Sequence, residues 1–338
     1  MKTVILILSF SLFAASFVSA IPTDVTYAEG DATTRYSSGK QQETSIGDKL
    51  NTGDSLKTGK DGLVELDQKG VAVKVSASTV FTLREMSRGG QTKSVMSVAL
   101  GSIKFRYDKL SGQEPMIQTN GTVAGVRGTE FSVFSGADGS TLIAVDSGSV
   151  TVDAGGKSVD LGASEGVEIK LGQPPGDKFV LHSDQVDYSK WNDEKLSAML
   201  ADPLAAMTSI ETMMGAYEKD VADYSALFNE YQQKLVIENE NFERIRKEKG
   251  EEAAQQYAKD VASPIMTKTL TVGMNSRFSA LAALSLRRYI AGRLYLFMKA
   301  RYIANPGDAT YAEFLSRFEE LLAGFEKSIV PILVKADI

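Results

Sequence analysis

Cysteine is absent from all 338 residues, and histidine and tryptophan occur once each, as His182 and Trp191. The lack of cysteine excludes disulfides, zinc–thiolate sites, thiol nucleophiles and a lipid-modified N-terminus. His182 has Asp184 and Asp187 near it. No G-x-S-x-G elbow supplies a nucleophile for it, and no ligand spacing supports a metal. Acids are plentiful, yet nothing singles out a Glu/Asp pair for sugar hydrolysis. The reading is therefore no enzyme: no catalytic residue, no cofactor and no metal. An excess of positive charge is missing too, since 37 basic residues face 43 acids, for a net charge of −6. A mildly acidic chain is no obvious partner of nucleic acid.

Long apolar runs are scarce. The one present, Val4 to Phe17, follows Lys2 and precedes the small residues Val18-Ser19-Ala20. That pattern predicts a secretory signal over residues 1–20, too short for the roughly 20 residues of a membrane span. The expectation is an exported or periplasmic protein that does not span the membrane once the signal is cleaved. Without cysteines, such a chain fits a bacterial envelope better than an animal secretory pathway.

What remains divides by period. From Ser45 to about Leu171, short runs such as Leu63 to Leu66, Val71 to Val75 and Val80 to Leu83 alternate with glycine turns. Strands at this spacing, with no helical period between them, predict an all-β domain. Leu100-Gly101-Ser102-Ile103-Lys104-Phe105 echoes Ser147-Gly148-Ser149-Val150-Thr151-Val152. That echo leaves a β-solenoid and a sandwich both open. Within Ile117 to Phe134, Gly125 and Gly128 bracket Val126 and Arg127 and predict a bulge or corner that presents Arg127. This G-x-x-G lies between strands. It is neither the helix-joining loop of a KH domain nor a phosphate loop that opens a helix.

Beyond the turn Gly172 to Gly176 the period is helical. Met207, Met214, Val221, Phe228, Leu235 and Phe242 recur every seven residues. A second series, Ile210, Tyr217, Tyr224, Tyr231, Glu238 and Ile245, follows three residues behind. This is a heptad seam on a helix from Pro203 to Lys249, broken at Glu238. A second helix is expected from Ser263-Pro264 to Ile303, and a third from a capping box at Thr310-Tyr311-Ala312-Glu313. Together they predict an antiparallel three-helix coiled-coil bundle. Trp191 is read as packing one half on the other, and the Tyr217-Tyr224-Tyr231 stripe as core. The middle helix is basic, with Arg287, Arg288 and Arg293 among its seven cations, between two acidic ones. Two readings follow: ion pairs that order the helices, or a face for anionic head groups or envelope polymers.

The expected organisation is thus a signal at 1–20, an N-terminal linker at 21–44, a β domain at 45–171, a linker at 172–183 and a helical bundle at 184–338. The β half resembles the FecR domain of bacterial envelope proteins. The resemblance rests on Ile46-Gly47-Asp48-Lys49-Leu50-Asn51-Thr52-Gly53-Asp54, Gly62-Leu63-Val64-Glu65-Leu66 and Val126-Arg127-Gly128-Thr129-Glu130-Phe131. It rests also on Gly148-Ser149-Val150 and Leu161-Gly162-Ala163. It implies a periplasmic, non-enzymatic domain that docks or senses an envelope protein or polymer. Arg127 and Thr129, with Arg287, Arg288 and Arg293, are the candidate binding residues. The helical half would serve as spacer or assembly module, with homo-oligomerisation one outcome. An accessory role in transport signalling and a cell-wall carbohydrate binder or enzyme are the alternatives. The family's regulators carry a cytoplasmic segment and one membrane span. This sequence reads as lacking both, so the sensing role is the part that carries over.

Overall fold

A computed structural model of the chain describes residues 22–88, 91–107 and 114–334, without the side chain of Arg127. The expected signal at 1–20 lies outside these residues. Among the described residues, no helix is long and apolar enough to cross a membrane.

The first strands are β1 (Thr23–Glu29), β2 (Ala32–Arg35), β3 (Gln41–Glu43), β4 (Lys49–Leu50) and β5 (Ser55–Thr58). Next come β6 (Leu63–Asp67), β7 (Val71–Val75), β8 (Val80–Arg88), β9 (Gln91–Tyr107) and β10 (Met116–Gln118). The series closes with β11 (Thr122–Ser135), β12 (Thr141–Ala154), β13 (Lys157–Leu161), β14 (Glu165–Ile169) and β15 (Phe179–Val180). All join one hydrogen-bonded sheet, antiparallel except where β10 runs beside β9. The sheet curls into a barrel-like shape around a single apolar core. Its alternate residues include Phe81, Phe105 and Phe131, and Phe105 stacks on Phe131 at 5.0 Å. Each such side chain contributes about 1.5–3 kcal/mol by leaving water.

Three expectations are corrected here. The expected linker at 21–44 is built into the sheet from Thr23 on: β1 pairs with β4 and β6, and β2 pairs with β3 and β5. Stretch 172–183 is no free linker either, since Gly176 N–H donates to the Glu168 carbonyl and β15 pairs with β14. The β half is neither a solenoid nor a sandwich, because antiparallel strands that bend close it instead. β9 pairs with β8 before Gly101 and with β7 and β11 after it. β12 pairs with β14 before Gly148 and with β13 after it. Both glycines have positive φ, +113° and +77°. A Cβ at Gly101 would sit 2.3 Å from Thr79 Oγ1, and one at Gly148 would sit 2.1 Å from the Gly128 oxygen. The sequence echo therefore marks two strands that change partners at a glycine, where a neighbour crowds the backbone.

The helical half starts with α1 (Tyr188–Ala201), whose N-cap Asp187 accepts from Lys190 N–H. In α2 (Pro203–Lys249), Asp202 caps Ala205 N–H and Pro203 fills the first turn. At 1.5 Å per residue α2 is about 70 Å long. The return helix begins earlier than Ser263. It runs from Glu251 to Arg301 as α3 (Glu251–Tyr257), α4 (Ser263–Leu286) and α5 (Gly292–Arg301), joined by π-helical turns at Ala258–Ala262 and Arg287–Ala291. Pro264 is tolerated inside this run because it directly follows a π turn, where the usual i−4 bonding has already shifted. The third helix, α6 (Ala309–Ser328), is capped by Asp308, whose carboxylate accepts from Thr310 and Tyr311 N–H. The Thr310 capping box is thereby superseded by a better acceptor two residues earlier. α7 (Val330–Val334) follows.

These helices do not make a three-helix coiled coil of uniform length. α6 is 20 residues long against 47 in α2, and it lies over the start of α2. There Arg317 bonds to Glu211 at 2.5 Å and to Thr208 at 2.8 Å. Past Val221, α2 runs against the antiparallel return helix and, among the described residues, keeps no fully buried one. The outer part is a two-helix hairpin, fixed by a polar layer in which Glu238 accepts from the Tyr257 hydroxyl.

Candidate functional site

The two halves meet along β8, β10 and α4. β5 pairs with β8 only as far as Thr82, so the later edge of β8 needs another cover. α4 supplies it. Asn275 accepts from Ser87 N–H at 2.7 Å and donates to the Ser87 carbonyl at 3.0 Å, as a neighbouring strand would. Beside it, Phe278 enters a small apolar cluster with Val95 and Met116. On α2, the buried Tyr217 hydroxyl donates to the Asn120 carbonyl at 2.7 Å. Burial raises the pKa of that hydroxyl, so it stays protonated and remains a donor. Asn120 is itself buried and donates to the Ala99 carbonyl.

Trp191 makes a separate contact between the halves. It packs with Tyr188 against Phe134, Leu142 and Ala144 of the barrel, and its ring meets Gly136 at 3.1 Å from where a Cβ would lie. Asn192 accepts from Ala137 N–H, and Lys195 pairs with Glu168. The expectation that Trp191 joins the halves holds.

Within this junction, β8 alternates Phe81 and Leu83 into the barrel core, which turns Thr82, Arg84 and Met86 toward the helices. Arg84 is only 5% exposed. Its guanidinium donates to Gln118 Oε1 at 3.1 Å and to Ser285 Oγ at 2.9 Å. Among the described residues its Nε has no acceptor, and no carboxylate lies in ion-pair range. Burial lowers its pKa to about 10, opposed by the nearby Tyr217 and Tyr289, so it is charged at neutral pH. Arg84 lines a cavity of ≈ 800 Å³ between β8 and one stripe of the return helix. Leu270, Met274, Arg277, Leu281, Leu284 and Arg288 form that stripe. The volume falls within the roughly 300–1,000 Å³ typical of small-molecule sites.

The sequence-chosen residues do not gather here as a set. The backbone of Arg127 pairs with Ser149, and the register slips between Arg127 and Glu130, so the expected bulge is present. The Arg127 side chain lies outside the described residues. Thr129 is buried, and its methyl lies 2.6 Å from where a Cβ of Gly148 would stand. Its side chain packs inside the corner and presents no surface. The three arginines diverge. Arg287 lies over the Phe325 ring at 4.9 Å, Arg288 lines the cavity, and Arg293 is in electrostatic reach of Tyr188. Ordering ion pairs come partly from elsewhere, as with Arg317 of α6. The tyrosine stripe divides too: Tyr217 docks the barrel, while Tyr231 lies under Lys234 on the hairpin. His182 is exposed, and among the described residues no group of acids and histidine could hold a metal.

Comparison with known proteins finds a family match within the β half. The family model described as FecR protein matches residues 54–151. Two crystal structures of a candidate anti-sigma factor from Parabacteroides distasonis ATCC 8503 are similar to part of the chain. The one at 1.65 Å has 16% identity and a TM-score of 0.34, over 40% of this chain and 63% of that one. The one at 2.50 Å has 16% identity and a TM-score of 0.33, over 39% and 61%. The chain thus spans less than two thirds of either. No curated protein matches it.

Proposed function

We propose, from the premise that residues 54–151 form a FecR-family domain, that this protein is a non-enzymatic docking or sensing protein of the bacterial envelope. Residues 1–20 direct export and are removed. The barrel docks an envelope protein or polymer, and the long hairpin sets its distance from, or assembles it with, other components. The observation that carries this reading is how the surface is divided. The helices cover one flank of the barrel through Asn275, Tyr217 and Trp191, and beyond Val221 the hairpin leaves the third helix behind. Such a shape leaves the other flank of the barrel for a partner and projects the hairpin away from it. Crosslinking in intact native cells tests it: capture of one defined envelope component is expected, and recovery of none counts against it.

The family match also favours a second reading, an accessory to a transmembrane regulator of transport. Deletion should then change transcription of transport genes. Unchanged transcripts would remove this reading and leave the docking one standing.

A further inference from the structure

We infer that the cavity between β8 and α4 is a binding site for a small amphiphilic anion, one with a carboxylate or phosphate head and an apolar body. A buried arginine without a carboxylate is costly unless something compensates it. Arg84 has five N–H donors to satisfy and two acceptors, Gln118 and Ser285, neither of them charged. The cavity it lines also holds the guanidinium groups of Arg35 and Arg288. Guanidinium groups converging on one cavity beside the unsatisfied Arg84 Nε favour an oxyanion, for which the planar fork is suited.

The body of the ligand follows from the helix. Between Arg277 and Arg288 the same stripe carries Leu281 and Leu284, with Leu270 and Met274 before them and Phe278 beside them. This apolar wall suits an alkyl or aromatic tail. The π-helical turn Arg287–Ala291 contributes a second, separate observation. It widens the helix where Arg288 and Tyr289 line the cavity, and such turns are frequent at functional sites. Because one wall is barrel and the other is helix, an occupied cavity joins the two halves. The site is independent of the docking role, and loss of either leaves the other intact.

Titration calorimetry and thermal melting of the purified protein test this with four probes below their micelle concentrations. Octyl phosphate and octanoate should bind and raise the melting temperature, and the tighter of the two identifies the head group. Octanol and inorganic phosphate should bind much more weakly. Arg84→Met should fold with an equal or higher melting temperature, having lost an unpaired buried charge. It should bind the alkyl anion about 10- to 100-fold more weakly, the equivalent of one charge-assisted hydrogen bond. Arg288→Gln, at an exposed position, should weaken binding without changing the ligand-free melt, and it carries the test if Arg84→Met fails to fold. The inference is overturned if neither anion binds, if octanol binds as tightly as octyl phosphate, or if both variants bind as the wild type does.

Discussion

The two ends of α2 carry one heptad pattern and have different fates. At the base, Met207, Met214 and Val221 are 0–3% exposed, enclosed by the return helix, by α6 and by the barrel. At the tip, Phe228, Leu235 and Phe242 repeat the same spacing yet stay only half-buried, while Val236 and Ile237 are exposed. A heptad therefore specifies which face meets a partner helix. How deeply that face is buried depends on a third layer, which the helix itself does not encode.

Substitutions at the two ends should break this comparison most visibly. Phe314→Ala, in the fully buried face of α6, should lower the stability of the helical half by about 3–5 kcal/mol. Phe242→Ala at the tip should cost less than about 1.5 kcal/mol. Chemical denaturation followed by helical circular dichroism measures both, and equal losses would mean that the tip is as enclosed as the base. Next in size, Tyr217→Phe strands the buried Asn120 carbonyl and should cost about 1–3 kcal/mol. That loss should appear in the melting of both halves, because the bond crosses between them.

Acid should act on the two regions in opposite directions. Burial alone would raise the Asp146 carboxyl in the barrel. Hydrogen bonds from the Ser183 hydroxyl and N–H, with Lys104, outweigh it and hold the pKa below the ordinary range. Its folded value lies under its unfolded one, so it adds stability above about pH 4 and loses it as pH falls through the folded value. Glu218 at the hairpin base is raised by burial, so its ionised form opposes folding and protonation relieves it as pH falls. Asp146→Asn should therefore flatten the acid loss of stability. Glu218→Gln should slightly raise the melting temperature at pH 7 and leave less gain on acidification. Melting curves from about pH 2.5 to about pH 7, which bracket the ordinary Asp and Glu range, decide the signs.

Much of the fold is legible in the residues. Alternation located most strands, the paired glycines located the bulge, and the solitary Trp191 between a β and a helical period marked the joint. Other features depended on contacts far apart in sequence. Residues 23–43 look like a polar lead-in because their strands are short and pair with β4, β5 and β6. Ser263-Pro264 looks like a helix start because a π turn, which no local motif announces, carries the helix through it. The site was the least legible. In Val80 to Met86, Arg84 alternates onto what looks like a solvent face, and only the packing of α4 buries it. A charged residue on the outward face of a strand is ordinarily solvated, so alternation gave no reason to choose it over Arg287 or Arg293.

The claim on which the rest depends is that barrel and hairpin base form one cooperative unit and the tip does not. Native-state hydrogen exchange of the isolated protein measures this directly. Amides of β8, β10, residues 207–221 and residues 276–298 should exchange together, at the slow rate set by global unfolding. Amides of residues 228–248 and 252–266 should exchange much faster. Uniform protection along the whole hairpin, or a base that exchanges independently of β8, would contradict it.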